Sequence, residues 1–354
     1  MTSITEVARR AGVSVSTASR VVSAADYPVS AEARERVLEA ARELDYVPNA
    51  LARGLLKHRI PVVAVIVHDI TDPYFAEIVR GVEDAAGPAG FLVITCSSER
   101  NPVRESEYVR LLRSMRAAAV IFAGSGLDDP ALNAELPRHL GAMRTSGAAV
   151  VHLSPHALGE PEIRVDNAGG IASMVRALVG LGHRRIAFLA GPARLYVARE
   201  RLAGYRQGLA EAGIPPDERQ IVQSGFDHEG GALAVDRLLA DGTPFTAILA
   251  ANDLLALGAL SRLHALGIDV PGQVSVAGFD DIATASMTSP ALSTVRLPLR
   301  ELGRLGFASA ERQLAGQPDV PRTVPTEVVL RGSTAPPPNG AGAAIRPHAP
   351  GATP

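Results

Sequence analysis

From residue 60 to about 330 the chain alternates short runs of apolar, often β-branched residues with longer stretches whose apolar positions recur every three or four residues. The runs VVAVIVH (62–68), FLVITC (91–96), AAVIFAG (118–124), AAVVHL (148–153), RIAFLAG (185–191), FTAILAA (245–251) and VSVAGFD (274–280) predict strands. FAEIVRGVEDAAG, GGIASMVRALVGLG and EGGALAVDRLLADG, lying between them, predict amphipathic helices. Near-continuous apolar strands separated by helices predict parallel sheets covered on both faces. Two such sheets fit the length, one before and one after about residue 162, so the predicted class is α/β with two doubly wound lobes. Residues 334–354 (TAPPPNGAGAAIRPHAPGATP) have no apolar period and predict a disordered tail.

The first 46 residues have another texture, with three short helical patterns and no strand. Ser3 followed by Glu6 is a capping box, and Ile4, Val7, Ala8 and Ala11 give the first helix an apolar face. Gly12 permits a tight turn, and Ser14 can cap a second helix that buries Ala18, Val21 and Val22. A third helix, about Ala31 to Leu44, is expected to pack Val37, Leu38, Ala41 and Leu44 against the pair. Helix, glycine turn, helix is the plan of the helix-turn-helix DNA-binding unit. If its second helix enters the major groove, Val15, Ser16, Ser19 and Arg20 face the bases. Arg20 can donate two hydrogen bonds to a guanine and Val15 can meet a thymine methyl, while Ser14 and Thr17 suit phosphates.

Composition bears this out only in part. A 354-residue chain exceeds one hydrophobic core, and 47% hydrophobic with 20% charged residues is ordinary for a globular protein. The net charge of -2 hides a split: residues 1–59 hold nine Lys/Arg against seven Asp/Glu, and the remainder 26 against 30. A slightly basic module on an acidic body suits a DNA-binding head on a regulatory domain. The single cysteine, Cys96, forms no internal disulfide, and no Cys/His cluster has zinc spacing. No cofactor or metal is therefore expected. The run VVAVIV (62–67) falls far short of the roughly 20 apolar residues that cross a bilayer, so a cytoplasmic protein without membrane contact is expected.

The strings ITEVARRAGVSVSTASRVVS and VSAEARERVLEAARELDYVPNALARGL closely resemble the head and hinge of LacI/GalR transcriptional regulators. The resemblance continues through DPYFAEIVRGVEDAA, VDNAGG, LGHRRIAFLAGP, RERLAGYRQGLAEAGI, ANDLLALGAL, VPGQVSVAGFDD, PALSTVRLP and VVLRGST, about residues 3–334. It implies a helix-turn-helix head (1–46), a hinge helix (47–59) and an effector-binding, dimerising domain (60–333) like a periplasmic sugar-binding protein. In that domain the N-lobe would hold about 60–162 and 295–321, and the C-lobe 163–294 and 322–333. The resemblance implies that the hinge helices of a homodimer pair and push a leucine into the minor groove of a pseudo-palindromic operator. That leucine is Leu55, or Leu56 beside it, with Asn49 contributing to the same DNA-binding segment.

For the effector the resemblance implies a site between the lobes at strand ends. Tyr74 and Phe75 open the helix after the first strand and can stack on a ring. Arg201 corresponds to the arginine that reaches ligand oxygens in relatives, and Phe226 to an aromatic closing the far wall. Asn252 and Asp280 follow strands directly, where they can accept from hydroxyls or simply cap the next helix. Asp166 and Asn167 read as turn and cap residues bordering the cleft, and His183 as structural. Leu195 and Val197 stand where purine-binding relatives place polar contacts, which leaves a sugar or sugar derivative as the expected effector. A solute-binding protein or an enzyme of the same α/β class is the alternative. The first would need an export signal and no head, and the second shows neither a GxGxxG turn after a strand nor a P-loop.

Overall fold

The computed structural model describes residues 2–22, 28–46, 59–129, 135–156, 158 and 162–338. Three helices form the head: α1 (Ile4–Ala11), α2 (Val15–Val22) and α3 (Ala31–Glu43). Ser3 Oγ accepts from Glu6 N at 3.3 Å while Ser3 N donates to the Glu6 carboxylate at 2.7 Å, closing the capping box. Gly12 ends α1 in left-handed backbone, φ 64°, a turn that a side chain would disfavour. The head core is Val7, Ala8, Ala11, Ala18, Val21, Val37 and Ala40. Leu38 was expected there and is 44% exposed instead. The helical period of 3.6 places Val37 and Ala40 on one face and turns Leu38 about 100° away.

The first lobe is built from β1 (Ile60–Val67), α4 (Pro73–Ala86), β2 (Leu92–Ser97), α5 (Pro102–Ser114), β3 (Ala117–Phe122), α6 (Leu136–Thr145) and β4 (Ala149–His152). Its strands are all parallel in the order β2-β1-β3-β4. After β5 (Ile163–Val165) and α7 (Asn167–Gly180), the second lobe repeats the plan. It contains β6 (Ile186–Ala190), α8 (Tyr196–Glu211), β7 (Ile221–Gln223), α9 (His228–Ala240), β8 (Ala247–Ala250), α10 (Asp253–Ala265) and β9 (Ser275–Ala277), ordered β7-β6-β8-β9. β1, β3, β6 and β8 are buried along most of their length, as expected of sheets covered by helices on both faces.

The chain then returns through β10 (Thr294–Arg296) to α11 (Leu299–Leu314), which packs on α4 and β4 of the first lobe. It crosses back through β11 (Arg322–Val324) and β12 (Glu327–Val329). β10 pairs antiparallel with β12, and β11 parallel with β5, so two short ribbons join the lobes. The expected strands all appear with shifted ends; β1, for example, begins at Ile60 and not at Val62. The tail expectation is corrected at its start. Ala335 is held to the second lobe, its N–H donating to Ser275 Oγ at 3.0 Å and its carbonyl accepting from His183 Nε2 at 2.9 Å. His183 Nδ1 in turn faces Thr246 Oγ1 at 2.9 Å, a structural part for this histidine as expected. The rest of that tail, from 339 on, lies outside the described residues.

Candidate functional site

On the head, Ser14, Val15, Ser16 and Arg20 are exposed, and Thr17 and Ser19 half-buried, around the start and outer side of α2. Ser14 Oγ accepts from Thr17 N at 3.1 Å, the capping bond expected of it, and lies 2.8 Å from both Ser16 Oγ and Thr17 Oγ1. Three hydroxyls thus cluster at the amino end of α2, where helix N–H groups favour a phosphate. Arg20 stands one turn further on, and Val15 keeps 43% of its surface open to solvent. Asn49, Leu55 and Leu56 lie outside the described residues.

The six residues expected at the effector site come together. Tyr74, Phe75, Arg201, Phe226, Asn252 and Asp280 all line one cleft between the lobes. They converge because each follows the carboxyl end of a parallel strand, beside the point where strand order reverses between β1 and β3 and between β6 and β8. Pro73 opens α4 with Asp72 as its cap, so Tyr74 and Phe75 sit on the first turn at the mouth of β1. Their rings meet edge-on, with centroids 4.9 Å apart. Phe226 lies over Gly191, where a Cβ would come within 2.2 Å of the ring, so only glycine lets this aromatic close the wall.

Arg201 is buried on α8 and satisfied from three sides: Nε donates to Asn167 Oδ1 at 3.0 Å, Nη1 to the Ala251 carbonyl at 2.6 Å and Nη2 to Asp280 Oδ1 at 3.1 Å. Its guanidinium lies 4.1 Å from the centroid of the Phe279 ring. Of five N–H donors, two are left for a ligand. Burial pushes the Asp280 carboxyl well above the usual carboxylate range, and Arg201 opposes that shift. Asp280 sits at φ 121°, outside normal L-residue backbone, held by its N–H to the Val295 carbonyl at 2.9 Å. Beneath it Asp281 pairs with Arg296 of β10 and with Arg331, both at 2.7 Å, which ties the cleft floor to the crossing ribbon. Asn252 Oδ1 caps α10 by accepting from Leu255 N at 3.0 Å, while its amide nitrogen has no hydrogen-bond partner among the described residues.

The sequence reading missed His68, Asp72, Arg100, Ser125 and Ser154, which line the same cleft from the first lobe. None of them carries a spacing signal; their place just after strands β1 to β4, with His68 and Asp72 both after β1, was the available clue. Burial, then the charge of Arg100, holds the His68 imidazole down at about 3, so it stays neutral, and its Nε2 sits 3.0 Å from the Ser125 carbonyl. That contact assigns the proton to Nε2. Burial raises the Asp72 carboxyl, with its bond from Tyr74 N opposing. Leu195 and Val197 add apolar surface to the second-lobe wall.

The lobes also touch beside the cleft. Asp128 N donates to the Arg194 carbonyl at 2.7 Å, Val197 N to Ser125 Oγ at 3.3 Å, and Asp128 and Asp129 pair with Arg199 and Arg194. Among the described residues no group of three or more His, Cys, Asp or Glu side chains could hold a metal ion, and no helix is long and apolar enough to cross a membrane.

Comparison with known proteins places both halves. Residues 3–49 match the lacI family of bacterial regulatory proteins, and residues 175–334 a periplasmic binding protein-like domain. The chain is 32% identical over 337 residues to the HTH-type transcriptional regulator DegA of Bacillus subtilis (strain 168), covering 95% of this chain and 98% of DegA. A lac repressor dimer bound to operator and the anti-inducer ONPF superposes with a TM-score of 0.83 at 28% identity, over 94% of this chain and 99% of that one. The transcriptional regulator CelR in complex with cellobiose gives 0.70 at 31% identity, over 94% and 100%. The head, the two lobes and the near-full-length likeness agree: this chain belongs to the lacI family and is a DNA-binding transcriptional regulator.

Proposed function

We propose that the protein is a cytoplasmic repressor whose homodimer grips a pseudo-palindromic operator and lets go when a sugar or sugar derivative fills the cleft. The observation that carries this reading is the cleft itself, where groups from both lobes converge on a buried Arg201–Asp280 pair flanked by Phe226, Tyr74 and Phe75. Polar groups on a partly aromatic wall suit a molecule with both hydroxyls and apolar ring faces. A cellobiose-bound relative at 31% identity supports a sugar. On the head, Ser14 and Thr17 would hold phosphates, while Val15, Ser16, Ser19 and Arg20 would read base edges. Asn49 and Leu55, or Leu56 in its stead, would form the hinge segment that opens the minor groove.

Ligand and operator influence each other only if each favours a different arrangement of the lobes. An effector spanning Tyr74 on one lobe and Asp280 on the other has that property, because closing or opening the cleft changes its contacts. The test is calorimetry with a panel of sugars, paired with gel shifts on operator DNA, for wild type and Asp280→Ala. The expected outcome is that a sugar which binds wild type and weakens its operator complex does neither in the variant. Full sugar affinity and full release in Asp280→Ala would show that the effector sits elsewhere.

A further inference from the structure

The loop after β2 turns Arg100 into the cleft through two consecutive non-glycine residues in left-handed backbone, Glu99 at φ 52° and Arg100 at φ 58°. L-residues take up such a conformation only where their surroundings hold it, and it concentrates at functional sites. Here the hold is explicit: Ser98 N donates to the Val67 carbonyl at 2.9 Å, Glu99 N to the His68 carbonyl at 2.7 Å and Asn101 N to the Ser98 carbonyl at 2.9 Å. Ser98 Oγ also reaches the buried Glu105 carboxyl at 3.0 Å. The Glu99 side chain points away to Arg104, at 2.7 Å.

Arg100 differs from the other cleft cation. Arg201 already has Asp280 opposite it, whereas Arg100 has no carboxylate within ion-pair distance among the described residues, and its Nε is buried without a hydrogen-bond partner. The two acids nearest in charge are committed: Asp69 accepts from Thr71 N and Oγ1 at 2.8 and 2.7 Å, and Asp72 from Tyr74 N at 3.0 Å. A buried guanidinium N–H left unpaired is costly, and an oxyanion that can accept two parallel N–H bonds, a carboxylate or a phosphate, is its natural complement.

We propose that Arg100 receives an anionic substituent, a phosphate or a carboxylate, so that the effector of this chain is an acidic sugar and not a neutral one. The proposal rests on the cleft being the effector site and deepens that reading.

The test follows thermal unfolding of the full chain at constant ionic strength with inorganic phosphate, galactose, galactose 6-phosphate and galacturonate. The proteins are wild type, Arg100→Lys and Arg100→Asn; asparagine tolerates left-handed backbone, and Arg100→Gly replaces it should it not fold. Phosphate is expected to raise the wild-type Tm saturably, Arg100→Lys to keep most of the response, and Arg100→Asn to need at least about tenfold more phosphate. No rise in wild type, or an equal rise in Arg100→Asn as binding at the head would give, overturns the assignment. The two acidic sugars decide between phosphate and carboxylate. Phosphate acting through Arg100 while none of the three sugars binds leaves the anion site standing and removes the sugar; galactose binding without any phosphate response does the reverse.

Discussion

Arg201 and Asp280 form a buried pair, and such pairs contribute little net stability because desolvation offsets their attraction. In the proposed function their value would lie in offering an oriented charge and unused donors to a ligand that arrives without water. Both residues were legible because they sit in extended motifs, RERLAGY and VSVAGFD. Arg100 was not, since a strained two-residue turn in SSERN has no periodicity to read. Glu105 is another residue that only the fold explains. It is buried on α5, with a Ser98 hydroxyl as partner, and burial lifts its carboxyl from 4.5 to about 7 while Ser98 opposes. A raised carboxyl favours the folded state fully below 4.5 and loses that contribution as pH climbs through about 7. Glu105→Gln should therefore flatten the decline, so that urea midpoints of variant and wild type diverge across this window with the variant the more stable at its upper end. Parallel curves would mean that Glu105 ionises normally.

At the scale of the element, α2 shows how little a short helix needs in order to be predictable. Eight residues suffice because Ser14 caps it, Ala18 and Val21 bury against α1 and α3 with Val22 packed beside them, and Val15, Ser16 and Arg20 stay exposed. In the proposed function the outward set would divide the work between position and sequence. Arg20→Ala should weaken the operator complex by roughly 1–3 kcal/mol and relax preference at one base pair, as loss of a bidentate base contact does. Thr17→Ala should weaken operator and random DNA alike. Gel shifts on both DNAs check this, and equal losses for Arg20→Ala would place the reading residue elsewhere on the helix. The strands that escaped prediction were β5, β7, β10, β11 and β12, each three residues long. Three residues are too few to display alternation, and their pairing partners are remote in sequence: β5 pairs with β11 and β10 with β12.

For the whole molecule the question is how one cleft reaches DNA. The lobes meet through the exposed pair Asp128–Arg199, through Asp129 with Arg194, whose carboxylate partner is half-buried, and through single backbone bonds beside them. Exposed ion pairs contribute about 0–1 kcal/mol each, so a ligand worth a few such contacts can set the lobe arrangement. One head covers too little DNA for strong specificity, and a two-fold pair of chains on a pseudo-palindrome is the economical solution. Light scattering at micromolar concentration should give the mass of a dimer, with and without operator. A monomer under both conditions would remove the hinge pairing from the mechanism.

The sequence by itself determined what local patterns and ordered motifs can carry. Capping at Ser3 and Ser14, the Gly12 turn, the seven apolar strand runs and the strand-end positions of Asn252 and Asp280 all follow from period, cap and spacing. Only the tertiary structure decided which face of α3 is buried, that Ala335 continues into the second lobe, and that Arg100 and Asp72 share a cleft with Arg201 and Asp280. The reason is physical: a cleft wall is assembled from strand ends that lie more than a hundred residues apart, and nothing local records the charge, burial or partner that each side chain meets there.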